Sequence, residues 1–305
     1  MLFTRASFAH CSASVSLFPI SQDAKPHCGL KYSLSRGMYF AASWMRDMMA
    51  SLLSRRDLFV VTREGEELLR YARQVLEQSR LMEDRFCKKE NRNPSFSVSC
   101  QHYSFAVNAF VDVVREFDAD SYDFTLRETQ THEIIEDVSA MISELGILYL
   151  SGRNKEVMDK AFKKNDLVFE ELFEAEPHIF IGKDHPLAGK ELVTLADLEP
   201  YPYLSYEQGE YNSFYYSEEI LSSLERKKNI KVRDRATLFN LAIGLNGYTV
   251  CSGVISKELN GGSIVARRLA ADENMHIGYI RKRNMPLSRY GQSYLAALKK
   301  YVEEL

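Results

Sequence analysis

The 305-residue sequence reads as an α/β protein of two subdomains attached to a long amphipathic helix. Three observations carry this. Strand-like and helix-like stretches alternate from Ser95 onward. The alternation restarts after the polar stretch "GRNKEVMDKAFKKND". Ahead of both, apolar or small residues fall at Leu68, Ala72, Val75, Ser79, Met82 and Phe86, spaced 4, 3, 4, 3, 4. That spacing gives a helix a seam for a partner helix.

Composition bounds the function. Hydrophobic residues at 45% and charged residues at 27% are ordinary for a globular protein with a good core. A net charge of -3 excludes wholesale coating of nucleic acid, so DNA contact must come from a local basic patch. The cysteines, Cys11, Cys28, Cys87, Cys100 and Cys251, are scattered without C-x-x-C, and no H-x-x-x-H occurs. A disulfide framework, a metal site and a cofactor are therefore not expected, and a reducing, cytoplasmic compartment is. No run approaches the roughly 18–20 apolar residues of a membrane span. The N-terminal "MLFTRASFAHCSASVSLF" is broken by Arg5, His10 and serines, so it is not read as a signal peptide.

Residues 1–53 are the least readable part, punctuated by Pro26, Gly29 and Gly37. The pattern then sharpens. Thr62 can cap a helix whose first turn carries Glu64 and Glu66, where the dipole favours acids. The helix can serve a partner or pack on its own domain. The polar linker "KKENRNP" follows.

In the first subdomain "SFSVSC" alternates as a strand. "SFAVNAFVDVVREF" is a packed helix and "YDFTLRE" a second strand. "HEIIEDVSAMISEL" places Ile134, Ile135, Val138, Met141, Ile142 and Leu145 on one helical face, and "GILYLS" is a buried strand. This order predicts right-handed crossovers and a mostly parallel sheet. In the second subdomain "LVFEELFEAEPHIFIG" supplies strand material, "TLADLE" is a short capped helix and "YPYLSYEQ" a strand. "SEEILSSLERK" reads as a helix, "IKVRD" as a strand, "ATLFNLAIGLNG" as a helix and "YTVCSG" as a strand. "HIGYIRKR" and the helix "LSRYGQSYLAALKKYVEEL" close the chain. Lys299, Lys300 and the "RKR" at Arg281–Arg283 read as solvated charge.

Several segments, in order, resemble the LysR-type transcriptional regulators. "LLSRRDLFVVTREGEELLRYARQVL" is similar to the family's wing and linker helix, with Thr62 and Gly65 in place. "GKDHPLAGKELVTLADLEPYPYLSYEQG" resembles its "HPLA" segment, closely at Asp184–Ala188. "LFNLAIGLNGYTVCSGVISKEL" resembles its Gly-x-Gly segment through Gly244 and Gly247, with Gly253 in place of the usual proline. "ISELGILYL" departs from "G-x-x-D-x-x-i": Leu145 or Gly146 stands where the aspartate belongs. The resemblance spans about residues 53–305.

It implies a degenerate winged helix-turn-helix over 1–62 and a linker or dimerisation helix over 63–90. It further implies a two-lobed, periplasmic-binding-protein-like effector domain over 95–305, with lobe I at about 95–166 plus 268–305 and lobe II at about 167–267. The implied partners are promoter DNA, a small-molecule effector and further copies of the chain as a homodimer or homotetramer, with no membrane. Arg55 and Arg56 would lie in the wing near the DNA backbone, and Leu68, Ala72, Val75, Met82 and Phe86 would form the dimerisation seam.

Upstream, "SVSLFPISQ" from Ser14 to Gln22 resembles the segment before the family's recognition helix. After Gln22 the match stops, because Pro26 and Gly29 interrupt any helix. Codons able to encode "QDAKPHCGL", read one base later, can encode Lys/Arg-Met-Pro-Ser-Leu-Thr-Ala-Ala-Leu. That peptide resembles the opening of a family recognition helix, so a shifted reading frame is one account of the departure.

Ligands of such folds bind at the carboxyl ends of strands, between lobes. Gln101 and His102 follow the first strand, near a helix N-terminus suited to a carboxylate. Thr129, Gln130 and Thr131 follow the second strand. Tyr206 lies in the opposite lobe and Asn246 in the Gly loop. Cys100 reads as inert packing. No nucleophile–base constellation can be assembled, so an enzyme is not expected. Two other readings keep the two-lobed fold: a ligand-binding protein that has lost DNA binding, and a solute-binding protein.

Overall fold

The computed structural model describes residues 63–86, 94–117, 120–211, 213–255 and 261–303. The expected winged helix-turn-helix, with Arg55 and Arg56, and the departure after Gln22 lie outside these residues.

Helix α1 (Arg63–Phe86) carries the seam, and the seam divides in two. Ala72 and Ser79, seven residues apart, are buried, whereas Leu68 and Val75 are 60% and 54% exposed and Tyr71 joins them at 57%. Residues at i, i+3 and i+7 share a helical face, so an apolar stripe of Leu68, Tyr71 and Val75 faces outward. The inner face packs on its own chain, and the Gln78 amide donates to the Met285 sulfur. Met82 and Phe86 lie on the same helix.

The first lobe is a five-stranded sheet between two helical layers. Its strands are β1 (Ser95–Cys100), β2 (Asp123–Glu128), β3 (Leu145–Leu150), β4 (Leu167–Ala175) and the late strand Met275–Lys282, in the order β2-β1-β3-late-β4. β1 runs parallel to β2 and β3. The three strands read from the first subdomain are thus parallel as expected, and the late strand, antiparallel to both β3 and β4, makes the five-stranded sheet mixed. β3 is buried along its whole length because it is central and covered on both faces. Leu145, Ile147 and Tyr149 enter one core cluster, and Leu148 and Leu150 the other, as strand alternation requires.

On the first face lie α2 (Ser104–Glu116) and the closing helix Arg289–Glu303. The Tyr294 hydroxyl there donates to the Ala106 carbonyl at 3.0 Å, among the rings of Phe96, Phe110 and Phe124. On the second face lie α3 (Thr131–Ser139) and α4 (Lys155–Lys164).

Helix α4 was read from sequence as a polar connection. Its only buried residues are Met158 and Phe162, one turn apart. Helix α3 is shorter than its periodicity predicts: Met141 adopts φ 58°, so Ile142 is exposed and Leu145 opens β3 instead.

The second lobe holds a four-stranded sheet, β5 (His178–Gly182), β6 (Leu192–Val193), β9 (Thr249–Cys251) and β10 (Ile264–Leu269), in the order β6-β10-β5-β9. Beside it β7 (Tyr203–Tyr206) and β8 (Asn229–Val232) run parallel. β10 had no sequence reading. Between these strands lie α5 (Leu195–Leu198), with a Thr194/Asp197 capping box, and α6 (Arg235–Gly244). The late strand of the first sheet is β11 and the closing helix α7.

β4 pairs with β11 from Leu167 to Ala175, so it belongs to the first sheet and not to a second lobe beginning at Leu167. The chain crosses between lobes after β4 and again between β10 and β11.

Two further readings are corrected. Ser217–Lys227 forms turns, not a helix. Leu221 sits at φ 62°, which interrupts a helix, and Glu218 and Glu219 turn inward. The "RKR" is anchored at its centre by buried Lys282, while Arg283 stays exposed as expected. Buried Lys282 donates to the Asn165 carbonyl at 2.9 Å, Arg281 pairs with Glu170 at 2.7 Å, and Arg283 pairs with Asp166 at 3.4 Å.

Gly146 explains the departure in "ELGILYL". A Cβ there would lie 2.6 Å from Ile134 Cγ2 and 2.8 Å from Ile280 Cγ1. Gly146→Ala should destabilise the domain by about 2 kcal/mol, the usual cost of overpacking a core, read as a lower urea midpoint with unchanged m-value.

Candidate functional site

A cleft of about 490 Å³, its open mouth included, lies between the lobes. The first lobe supplies His102, Tyr103 and Ser104, from the carboxyl end of β1 and the start of α2. The second lobe supplies Phe180, Tyr206, Glu218, Glu219, Arg235, Phe239, Thr249 and Cys251.

His102 is the centre of the arrangement. Its backbone N–H donates to Glu218 Oε2 at 3.0 Å, and its Nδ1 lies 2.8 Å from the same oxygen. Its Nε2 lies 3.1 Å from the Arg233 carbonyl. Both ring nitrogens thus face acceptors, which only the doubly protonated ring satisfies. Burial opposes that charge, but the Glu218 carboxylate outweighs it and the pKa of His102 is raised. Tyr206 stacks flat on the imidazole at 3.8 Å, a cation–π geometry once the ring is charged.

The segment after β7 then crosses to the first lobe. Gln208 Oε1 accepts from the Thr131 N–H at 3.0 Å, at the N-terminus of α3, and Gln208 Nε2 donates to Glu218 Oε1 at 3.1 Å. Gly209, at φ 53°, lies against the Gln130 amide; a Cβ would approach Gln130 Oε1 to 2.8 Å, so this crossing needs glycine. Tyr211 stacks on His132 at 3.4 Å. Arg235, at the start of α6, pairs with Glu128 at the end of β2 at 3.1 Å. Burial raises the pKa of Glu128, although Arg235 works the other way.

Of the sequence candidates, the structure brings His102 and Tyr206 into the cleft wall. Thr131 reaches the same network through its N–H, while its Oγ1 accepts from Gln101 Nε2 at 2.6 Å. Gln101 is fully buried. Its Oε1 accepts from the Tyr103 hydroxyl at 2.9 Å and the Tyr149 N–H at 3.1 Å, so it braces the strand ends from beneath. Thr129 donates to Glu133, and Gln130 occupies the N-cap position of α3 without a side-chain capping bond.

Asn246 lies apart from the cleft. It adopts φ 49° and its carbonyl accepts from His185 Nε2 at 3.1 Å. His185 Nδ1 accepts from the Leu187 N–H at 3.0 Å, so the ring is neutral. Its burial lowers the pKa, partly offset by the Asn246 carbonyl. The "HPLA" and Gly-loop motifs are thus two ends of one hydrogen bond. Cys100 is fully buried and its thiol pKa is pushed up by burial, which keeps it unreactive.

Sequence reasoning missed Glu218, Glu219, Arg235, Phe180, Phe239 and Thr249. Glu218 and Glu219 are 6% and 2% exposed. The only sequence trace was an acid pair beside an apolar run, which reads as a solvated helix face. Among the described residues no group of His, Cys, Asp and Glu could hold a metal ion, and no helix is long and apolar enough to cross a membrane.

A two-lobed α/β domain with a side-chain-lined cleft is a ligand-binding architecture. Residues 100–303 match the family model described as the LysR substrate binding domain, and the chain belongs to the LysR family. No curated protein sequence matches. Among solved structures, full-length OxyR from Pseudomonas aeruginosa, a cysteine-to-aspartate variant, is similar at TM-score 0.54 and 16% identity, covering 83% of this chain and 85% of that one. A cysteine-to-serine variant of Corynebacterium glutamicum OxyR, bound to H2O2, is similar at TM-score 0.50 and 15% identity, covering 80% of this chain and 77% of that one. At these identities the likeness is one of fold.

Glu219 gives the site a pH signature. Burial first, then the neighbouring Glu218 charge, raises its carboxyl from 4.5 to about 8. The folded state therefore holds a proton that the unfolded chain releases. The stabilisation is complete below the unfolded value and is lost as pH rises through the folded one. Urea midpoints should fall between pH 5.5 and 8.5, and Glu219→Gln should flatten that slope.

Proposed function

We propose that this chain is a transcriptional regulator that senses a small molecule in the interlobe cleft, is cytoplasmic, and binds DNA through the region before α1. The observation that carries the sensing half is the cleft itself. Its two walls come from different sheets, joined by two chain crossings, and they meet through His102, Glu218, Tyr206 and Arg235. A ligand that contacts both walls changes their relative free energy in open and closed states, which is all that a regulatory signal requires. The family membership supports the DNA-binding half.

Of the sequence candidates, His102 and Tyr206 line the cleft, which supports direct ligand contact for these two. Thr131, Thr129, Gln130 and Gln101 hold the strand ends that present them, and Asn246 holds the Gly loop. In a thermal-shift screen of small metabolites on the full chain, a true ligand should raise Tm by several degrees. Tyr206→Ala should abolish that shift.

The outward stripe of Leu68, Tyr71 and Val75 supports self-association through α1. Leu68→Asp with Val75→Asp should weaken the dimer at least tenfold, read as a shift toward monomer mass by light scattering; an unchanged mass would remove α1 from the interface.

A second reading, ligand binding without DNA binding, is favoured by Pro26 and Gly29, which fall where a recognition helix belongs. Selection of genomic DNA fragments on the purified full chain separates the two. Enrichment of discrete fragments supports the regulator, and enrichment of none supports a ligand-binding protein.

A further inference from the structure

Two donors in the cleft have no partner. Thr249 is 4% exposed and its Oγ1 makes no hydrogen bond; Arg235 Nη1 is likewise buried and unpartnered. They lie along one wall. Thr249 on β9 stands opposite Phe180 on β5, and facing residues of an antiparallel pair share a side. The Phe180 ring meets Phe239 edge-on at 6.1 Å. Phe239 lies one turn beyond Arg235 on α6, on the same helical face. A guanidinium N–H and a hydroxyl therefore bracket two phenyl rings.

The same lobe also offers acceptors. The charge of Glu218 is met by His102 at 2.8 Å. Glu219 lies beside it, 2% exposed, with its Oε1 taking the Tyr206 N–H at 2.7 Å. Among the described residues no Lys or Arg pairs with Glu219. A buried carboxyl beside a second carboxylate, without its own cation, is a seat for a positive group.

We propose that the cleft takes a small amino acid as its zwitterion, with the ligand carboxylate on Arg235 and Thr249, its ammonium on Glu219, and its carbon skeleton against Phe180 and Phe239. The proposal rests on the reading of this cleft as the ligand site and adds the chemical class. Ligand binding would draw the proton from Glu219, which burial holds protonated at neutral pH, and release it to the buffer.

The test is calorimetric titration of the purified full chain at pH 7. The probes are the standard L-amino acids, β-alanine and γ-aminobutyrate, each positive paired with its deaminated acid and its decarboxylated amine. The expected result is binding of a zwitterion, with each half-analogue at least about tenfold weaker, the loss that follows one charge-assisted hydrogen bond. Binding heats should differ between phosphate and Tris as a proton is released, and Glu219→Gln should remove that difference and weaken binding about tenfold. Thr249→Val, which deletes a hydroxyl with no internal partner, should leave Tm unchanged and weaken binding about three- to tenfold.

A deaminated acid that binds as tightly as its parent overturns the ligand class. If no zwitterion binds but another metabolite raises Tm and Tyr206→Ala blocks it, the class falls and the cleft reading stands. Failure of every zwitterion and every metabolite overturns both.

Discussion

The contact between His102 and Glu218 sets the rest of the site. The two side chains are 5% and 4% exposed and meet at 2.8 Å. Burying two charges costs several kcal/mol each unless their partners are well placed, and here the surroundings supply them. Glu218 accepts from the His102 N–H and the Gln208 amide as well as from the ring. The ring donates onward to the Arg233 carbonyl and stacks on Tyr206. Each of these groups comes from the second lobe except His102 itself. Separating the lobes would leave both charges without their nearest counter-charge until water reached them, so the pair links closure to the position of every neighbour.

That linkage also accounts for the turns at Ser217–Lys227. A helix there would place Glu218 and Glu219 a quarter-turn apart on an outer face. The left-handed backbone at Leu221 ends any helical run, so both carboxyls can enter the cleft. The segment before these turns, just after β7, carries Gln208 and Tyr211 to α3. Local propensity favours helix; the buried hydrogen bonds to His102 and Tyr206 outweigh it, as tertiary contacts commonly do.

Most of the first lobe was legible because its strands and helices keep clean periods. Phe96, Val98 and Cys100 alternate, and Ile134, Ile135 and Val138 share a helical face. What failed was less periodic. Helix α4 buries only Met158 and Phe162, too few to stand out among the six charged residues of "KEVMDKAFKK". The lobe boundary was misplaced because a strand's sheet partner leaves no local trace: β4 pairs with β11, over a hundred residues later. In the site, residues following strand ends were found by topology alone, which gave His102 and Tyr206. Glu219, Arg235 and Thr249 reach the cleft only through the path of the chain, and charged residues at helix starts ordinarily read as solvated.

The closing contacts constrain how a signal can arise. His102–Glu218, Thr131–Gln208, His132–Tyr211 and Arg235–Glu128 join the lobes using protein groups alone. A ligand cannot strengthen bonds already made; it shifts the open–closed balance only by contacts that differ between the two states. Within the cleft, the interactions still unmade are those of the Thr249 hydroxyl and the second Arg235 N–H, while the Glu219 carboxyl, bonded to the Tyr206 N–H, has no cation. Each is a buried polar group whose desolvation is only partly offset, and on the proposed reading a matching ligand would offset the rest. On the ligand class proposed above, specificity and conformational response reside in the same few atoms. A change at any of them should alter the two together, whereas a change at Gln101 or His185, which only brace the frame, should alter stability first.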